Sequence, residues 1–553
     1  MRTRLELLLL LLLTSSSAAF CPPGCTCTED DRPSVRCDGA GLSSIPILLN
    51  PRTRSLSLAD NQISSVSLDE LSFYPDLEFL DLSDNQILTL DRGAFFRLIN
   101  LKVLRLNGNQ IKSLIVETFA GLSELQALDI SRNKLERLPT SVFADLHRLE
   151  VLNISDNALK TMSPGALTGL TSLKDLHLAR NQLSEMPKTA LHAPSNLKLL
   201  DLSFNRLNAI PNESFSLLAD LEILKLEGNS IERIDENGFV GLSSLKQLNL
   251  RFNKLARVPS VSFRPLTDLD TLQLGENLFD ELPTSAFEGL ANLRQLFITG
   301  CAQLTNAQLN AFSGLLHLNT LVITDNRQFA RIDALAFEQP DSLRRLVLSR
   351  NAIESLPSGL INWSQLDELD LRDNPWNCDC SLGFLPPALR LIYGTSGRPS
   401  AGPKATCAQP DPLQGRSLIE LGEEDIDCST SDSRRLLVTI AVVGGCLTAL
   451  TAVVLLVFRF RRSILLCLGL KKQRDMYARA DVLSSTYDYG NLSKKTLLGH
   501  ASFSAPYEQR SFLTHQGSDY YSGTVTPPRT NSTLSRDDSF RIITKYPVPI
   551  TEL

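Results

Sequence analysis

Eleven cysteines carry the most legible chemistry in this 553-residue chain. Eight fall in two groups of four: Cys21, Cys25, Cys27 and Cys37 near the start, and Cys378, Cys380, Cys407 and Cys428 far downstream. Four thiols at such spacings can close two disulfides, in three connectivities, or hold a zinc ion. The compartment decides between them. Met1 to Ala19 carries Arg2 and Arg4, the apolar run Leu7–Leu13, and Ser17-Ala18-Ala19 before the expected cut, which is the pattern of a secretory signal. The run is too short for a membrane anchor. The mature chain then begins near Phe20 in oxidising surroundings, where both groups are expected as disulfides and a metal site is not. Two further sets of residues could be modified. Asn153, Asn212 and Asn362 head N-x-S sequons, and seven of the nine tyrosines lie beyond residue 458. The six histidines are scattered, with no nucleophile or metal-ligand spacing around them, so no catalytic constellation and no cofactor is expected.

The elements that must position these residues are set by an asparagine recurring every 24 residues from Asn61 through Asn85, Asn109 and onward to Asn277. The beat continues through Cys301, loosens to 25 at Asn326 and Asn351, and closes after 23 at Asn374. Each beat ends the same phrase, as in Leu77-x-x-Leu80-x-Leu82-x-x-Asn85-x-Ile87. The phrase is that of the leucine-rich repeat, in fourteen copies. It implies a solenoid: one short strand per repeat, inward leucines buried between neighbours, and a parallel concave sheet. At about 4.8 Å per strand, fourteen rungs would span roughly 65 Å. Each asparagine follows its strand where the chain turns inward, and its amide can partner backbone groups that would otherwise be stranded. Ten residues later comes a large apolar residue (Phe95, Phe119, Phe143, Phe215, Phe239, Phe263, Phe287 among them), expected to stack as a second column toward the convex side.

A solenoid has open ends that need caps, and small caps need staples. Cys21-Pro22-Pro23-Gly24-Cys25-Thr26-Cys27 resembles the N-terminal cap of extracellular leucine-rich-repeat proteins. Asn374-Pro375-Trp376-Asn377-Cys378-Asp379-Cys380 resembles their C-terminal cap. That resemblance implies the pairs Cys21–Cys27, Cys25–Cys37, Cys378–Cys407 and Cys380–Cys428. Residues 436–458 are uncharged and long enough to span a bilayer, and Arg459, Arg461 and Arg462 follow at once. The expected organisation is therefore signal peptide (1–19), N-terminal cap (20–50), repeats (51–374), C-terminal cap (375–428), juxtamembrane linker (429–435), transmembrane helix (436–458) and disordered cytoplasmic tail (459–553). The topology is type I, single-pass, at the plasma membrane. A net charge of −6 gives no support to a nucleic-acid partner.

The tail reads as a signalling segment. Tyr489, Tyr507 and Tyr521 are the phosphotyrosine candidates, Tyr489-Gly490-Asn491-Leu492 being the best adaptor-docking or endocytic motif. Thr551-Glu552-Leu553 fits a PDZ groove, which takes a C-terminal strand by edge addition and an apolar last residue. Cys467, among leucines just inside the membrane, is a palmitoylation candidate. Ala441, Gly445 and Ala449 could form a helix face for a homodimer.

On the strands, the outward residue between the two leucines is polar over ten rungs, from Ser57 and Asp81 to Asn249 and Gln273. It then becomes Phe297, Val322 and Val347 on three successive rungs, an expected apolar ligand patch beside two lengthened repeats. Phe204 and Phe252, one position outside the usual concave columns, form a weaker candidate. Asn153 occupies an outward strand position, so a glycan there would cover part of the concave face. Cys301 stands where the repeat accepts Asn or Cys and is expected buried and reduced.

The whole pattern resembles extracellular leucine-rich-repeat transmembrane adhesion and receptor proteins, a group that includes synaptic organisers and guidance receptors. The resemblance implies a non-enzymatic cell-surface receptor that binds an extracellular or cell-surface protein ligand, with PDZ and phosphotyrosine adaptors inside. Unlike many members, this chain has no immunoglobulin or fibronectin module before the membrane. Toll-like receptors carry a folded signalling domain that this tail is too short to form, which leaves an innate-immune co-receptor, or an escort subunit for another membrane protein, as the alternatives.

Overall fold

The computed structural model describes residues 21–338, 341–394, 405–422, 424–426 and 431–467. The expected signal sequence, Cys428 and the residues beyond Cys467, with Tyr489, Tyr507, Tyr521 and Thr551–Leu553, lie outside the described residues.

Each leucine phrase forms a short strand, and fourteen of them pair in parallel from rung 1 (Ser55–Ser57) to rung 14 (Glu368–Asp370). Register never slips. Leu56 faces Leu80, Leu80 faces Leu104, and so on, so every inward leucine lies beside its counterpart. Those leucines are essentially inaccessible to solvent along the whole stack. Behind them runs the aromatic column: Phe95, Phe119 and Phe143 stack at 6.2 and 5.8 Å, and Phe215, Phe239 and Phe263 at 6.2 and 6.4 Å. Leu167 and Leu191 take the place between these two trios.

The asparagine ladder holds the inward turn. Asn205 shows the pattern: its Nδ2 donates to the Leu178 carbonyl one rung back at 2.9 Å and to Leu202 at 3.0 Å. Its Oδ1 accepts from the Leu183 amide at 3.1 Å. One buried side chain thus satisfies backbone groups of two rungs, which no apolar residue could do. The residue just before each ladder asparagine is left-handed, as at Asp60 (φ 55°), Arg180 (φ 53°), Phe204 (φ 52°) and Gly228 (φ 69°). Asp and Gly suit that conformation; a bulky aromatic does not.

The repeat changes at rungs 11 and 12. Their strands lengthen to five residues, Gln295–Thr299 and Thr320–Thr324. The extra residue shifts the ladder bond. Asn326 Oδ1 accepts from the amide of Cys301 itself at 2.7 Å, and Asn351 Oδ1 from that of Asn326 at 3.0 Å. The Cys301 thiol is fully buried, and burial pushes its pKa up to about 11, so it stands as a protonated, unreactive thiol.

At the N-terminal end a hairpin (Thr26–Thr28 with Ser34–Arg36) extends the sheet, Val35 pairing onto Leu56, and disulfides join Cys21 to Cys27 and Cys25 to Cys37. At the other end Cys378 bonds Cys407, and Cys380 is also disulfide-bonded, its expected partner Cys428 lying outside the described residues. The cap helix Leu385–Gly394 brings Tyr393 over the last strand, where its hydroxyl accepts from the Leu369 amide (3.2 Å) and donates to the Leu369 carbonyl (2.6 Å). Trp376 is fully buried and donates to Leu371 at 2.8 Å. The final edge of the sheet is thereby closed.

A separate helix runs from Ser431 to Cys467 and contains the apolar stretch Leu437–Leu456, mean hydropathy 2.3, long enough to cross a membrane. It starts inside the expected 429–435 linker and passes the expected end at 458. Helical hydrogen bonding, unlike hydropathy, does not stop at a charge. Cys467 is its last residue.

Candidate ligand-binding face

The outward residues of the strands form the concave face, and its columns follow from the unbroken register. Phe297 pairs with Val322 and Val322 with Val347, so the three expected contact residues do lie side by side. Their exposure differs from expectation. Phe297 is half-buried, but Val322 and Val347 are each only 8% exposed. Neighbouring side chains 4.8 Å apart cover one another, and the flanking Thr320 and Thr324 are also buried, at 8% and 6%. The two valines are therefore packing residues. Phe297 alone of the three offers a surface.

A second column was not anticipated. Two residues before the polar outward position stand Phe79, Val103, Ala127 and Val151, then Asp175, then Leu199 and Ile223. All seven are half-buried and in register from rung 2 to rung 8. The signal was present in the second x of each L-x-x-L phrase, but it shows only when the repeats are laid one over another. Asp175 is the one polar break, and burial raises its pKa above the usual aspartate range. On the same strand face, burial holds the pKa of His177 below 6.5, against the pull of Asp201 and Asp175. Beside the column runs a row of charge pairs, including Lys102–Glu78 (2.7 Å), Lys174–Glu150 (2.7 Å) and Lys246–Glu222 (2.7 Å).

Phe204 and Phe252 are 43% and 51% exposed at left-handed turn positions. Each has a guanidinium near its ring: Arg180 lies 4.6 Å from the Phe204 centroid and Arg251 5.2 Å from that of Phe252. Arg251 is itself held bidentately by Glu276 at 3.0 and 2.7 Å.

The three sequons stand in two settings. Asn212 and Asn362 are exposed, Asn362 capping a short turn by accepting from Ser364. Asn153 is half-buried on the rung 5 strand. Among the described residues no cluster of three or more His, Cys, Asp or Glu is arranged to hold a metal ion.

Comparison with known proteins fits this geometry. The leucine rich repeat family model matches residues 75–135, 123–183, 195–255, 244–302 and 304–375, together more than half of the chain. The chain belongs to the leucine-rich repeat family. Its similar relatives include mouse transforming growth factor beta activator LRRC32, 43% identical over 70 residues (13% of this chain, 11% of the relative). Human leucine-rich repeat and fibronectin type-III domain-containing protein 3 is 43% identical over 76 residues (14% and 12%). Human leucine-rich repeat-containing protein 3B is 38% identical over 78 residues (14% and 30%). The matches thus span from about a tenth to under a third of these relatives' own length. With the apolar helix, they place the chain among the transmembrane members of the family. Among solved structures, a Leptospira interrogans leucine-rich-repeat protein superposes with TM-score 0.52 at 24% identity, over 64% of this chain and 93% of that one. Toll in the Drosophila Toll–Spatzle complex gives 0.57 at 23% identity, over 71% and 55%. These structural likenesses establish the fold alone.

Proposed function

We propose that this chain is a cell-surface recognition receptor that spans the membrane once, with its repeats outside, and binds a protein ligand on the concave face. The observation that carries this reading is Phe297. It is a half-buried aromatic in a column that is otherwise polar over ten rungs, set where the strands lengthen and the valines beside it are packed into a firm floor. A rigid aromatic on a preorganised surface is the kind of anchor that dominates protein interfaces. The exposed sequons Asn212 and Asn362 receive glycans in the secretory pathway. The tail recruits phosphotyrosine adaptors through Tyr489, Tyr507 and Tyr521 and a PDZ domain through Thr551–Leu553, with Cys467 palmitoylated at the membrane. The reading is consistent with the relatives, among them a growth-factor activator, but the ligand is a property of this chain's own columns.

The test is a cell-aggregation assay with two labelled populations, one expressing the protein and one not. Clusters that form with the wild-type chain and are lost with Phe297→Asp, at equal surface display, support the reading. Clusters indifferent to Phe297→Asp but lost on deleting the tail would favour the escort-subunit reading.

A further inference from the structure

We infer that the apolar column over rungs 2 to 8 is covered in the mature protein by the chain's own N-glycan at Asn153, which leaves the concave face open to ligand only at its C-terminal end. The inference rests on the proposal that the repeats face the secretory lumen.

The first observation is the chemistry of Asn153. Its Oδ1 accepts from the Ser155 amide at 3.1 Å, and among the described residues its Nδ2 has no protein partner. At the same place on other rungs the bond is made by aspartate (Asp81 with Ser83 at 2.9 Å, Asp129 with Ser131 at 2.9 Å, Asp201 with Ser203 at 3.0 Å) or by Asn249 with Arg251 at 3.1 Å, where no serine or threonine follows to make a sequon. The turn therefore does not need an amide. The asparagine at rung 5 adds a nucleophilic nitrogen, with the serine two residues on, and nothing else to the fold.

The second observation is position. The apolar column runs from Phe79 to Ile223, and rung 5 is its midpoint, three rungs from either end, or about 14 Å at the usual strand spacing. A core of a few hexose units reaches that far. Val151 stands two residues from Asn153 on the same strand face, with Ala127 on one neighbouring strand and Asp175 on the other. Sugar C–H faces bury against aliphatic and aromatic side chains, and sugar hydroxyls donate hydrogen bonds to a carboxylate such as Asp175. A half-exposed apolar stripe of this length otherwise invites non-specific association.

In the modification, the Asn153 nitrogen bonds to the anomeric carbon of an oligosaccharide donated by a lipid-linked diphosphate. The bond from that carbon to the phosphate oxygen breaks, the lipid diphosphate leaves with the electron pair, and the nitrogen gives up one proton to the transferase.

The experiment uses the full chain displayed on mammalian cells. Peptide mass spectrometry reads occupancy at Asn153, Asn212 and Asn362. A reporter thiol, Ala127→Cys, is then labelled with a bulky maleimide in the wild-type background and with Asn153→Asp, which keeps the turn bond, or Ser155→Ala. With the glycan docked about nine-tenths of the time, its removal accelerates labelling about tenfold. Gln273→Cys, beyond the column, is unaffected. Asn153 unmodified while Asn212 and Asn362 carry sugar, or equal labelling rates in both backgrounds, would overturn the inference alone. All three sites unmodified on surface-displayed protein would overturn the orientation as well.

Discussion

Between Asn61 and Cys301 every repeat has 24 residues, and each ladder asparagine accepts from the amide two places beyond the one before it, as Asn85 does from Ile63. From Cys301 to Asn351 the interval is 25, and the accepted amide belongs to the ladder residue itself. The regular region cannot change its backbone without losing its ladder bonds, so its individuality lies in side-chain columns: an apolar stripe with an asparagine at its centre, and aromatics at turns that suit glycine. The irregular region changes the backbone instead. Its strands gain two residues, and the outward valines become part of the floor. One half of the face is made distinctive by what stands on it, the other by how it is built.

The ladder gives the sharpest contrast. Asn205→Ala leaves the buried Leu183 amide without its acceptor and removes one of the two asparagine donors that reach each of the Leu178 and Leu202 carbonyls, and we expect it to cost about 2–4 kcal/mol. Cys301→Ala removes only long thiol contacts (3.8 Å to Leu274) and should cost about 1 kcal/mol. Denaturant midpoints of the solubilised chain compare the two, and equal losses would dissolve the distinction. Within the irregular region, Val322→Asp buries a carboxylate and should cost about 2–3 kcal/mol, whereas Phe297→Asp should leave the midpoint unchanged within about 0.5 kcal/mol and abolish ligand-dependent clustering. In the regular region, Phe252→Gly relieves a left-handed aromatic and should raise stability by about 1 kcal/mol. A loss instead would show that the ring has a packing role.

The smallest effect is on pH. Burial lowers the folded pKa of His177, so the stability tied to its neutral form is complete above 6.5 and is lost as pH falls below it. Asp175 and Glu227, raised by burial, act in the opposite sense, because their protonation relieves a cost. His177→Asn should therefore lose less stability than wild type between pH 6.5 and about pH 5, read as the difference between the two melting curves.

Much of the fold was legible because a period of 24 leaves the chain one way to bury Leu80, Leu104 and their counterparts. Phe119 and Phe239 announced the second column for the same reason. The face was less legible. Val322 looked exposed because alternation assigns it outward, but outward on a sheet whose neighbours are also branched is not the same as accessible. Phe79, Val103 and Val151 fall on the second unspecified position of the L-x-x-L phrase, so the phrase itself says nothing of their column. The apolar stretch Leu437–Leu456 lies within the span of 436–458 that hydropathy marks, while Ser431 and Cys467 mark where helical hydrogen bonding begins and ends.

The central claim, that the concave face at Phe297 meets a protein ligand, is tested most directly by photocrosslinking on living cells. A photoreactive amino acid replaces Phe297 in one displayed protein and Leu316, 53% exposed and off the concave strands, in another. Adducts with a discrete protein from position 297 and none from 316 are the predicted result. Adducts from 316 with none from 297 would contradict it and move the interface off the sheet.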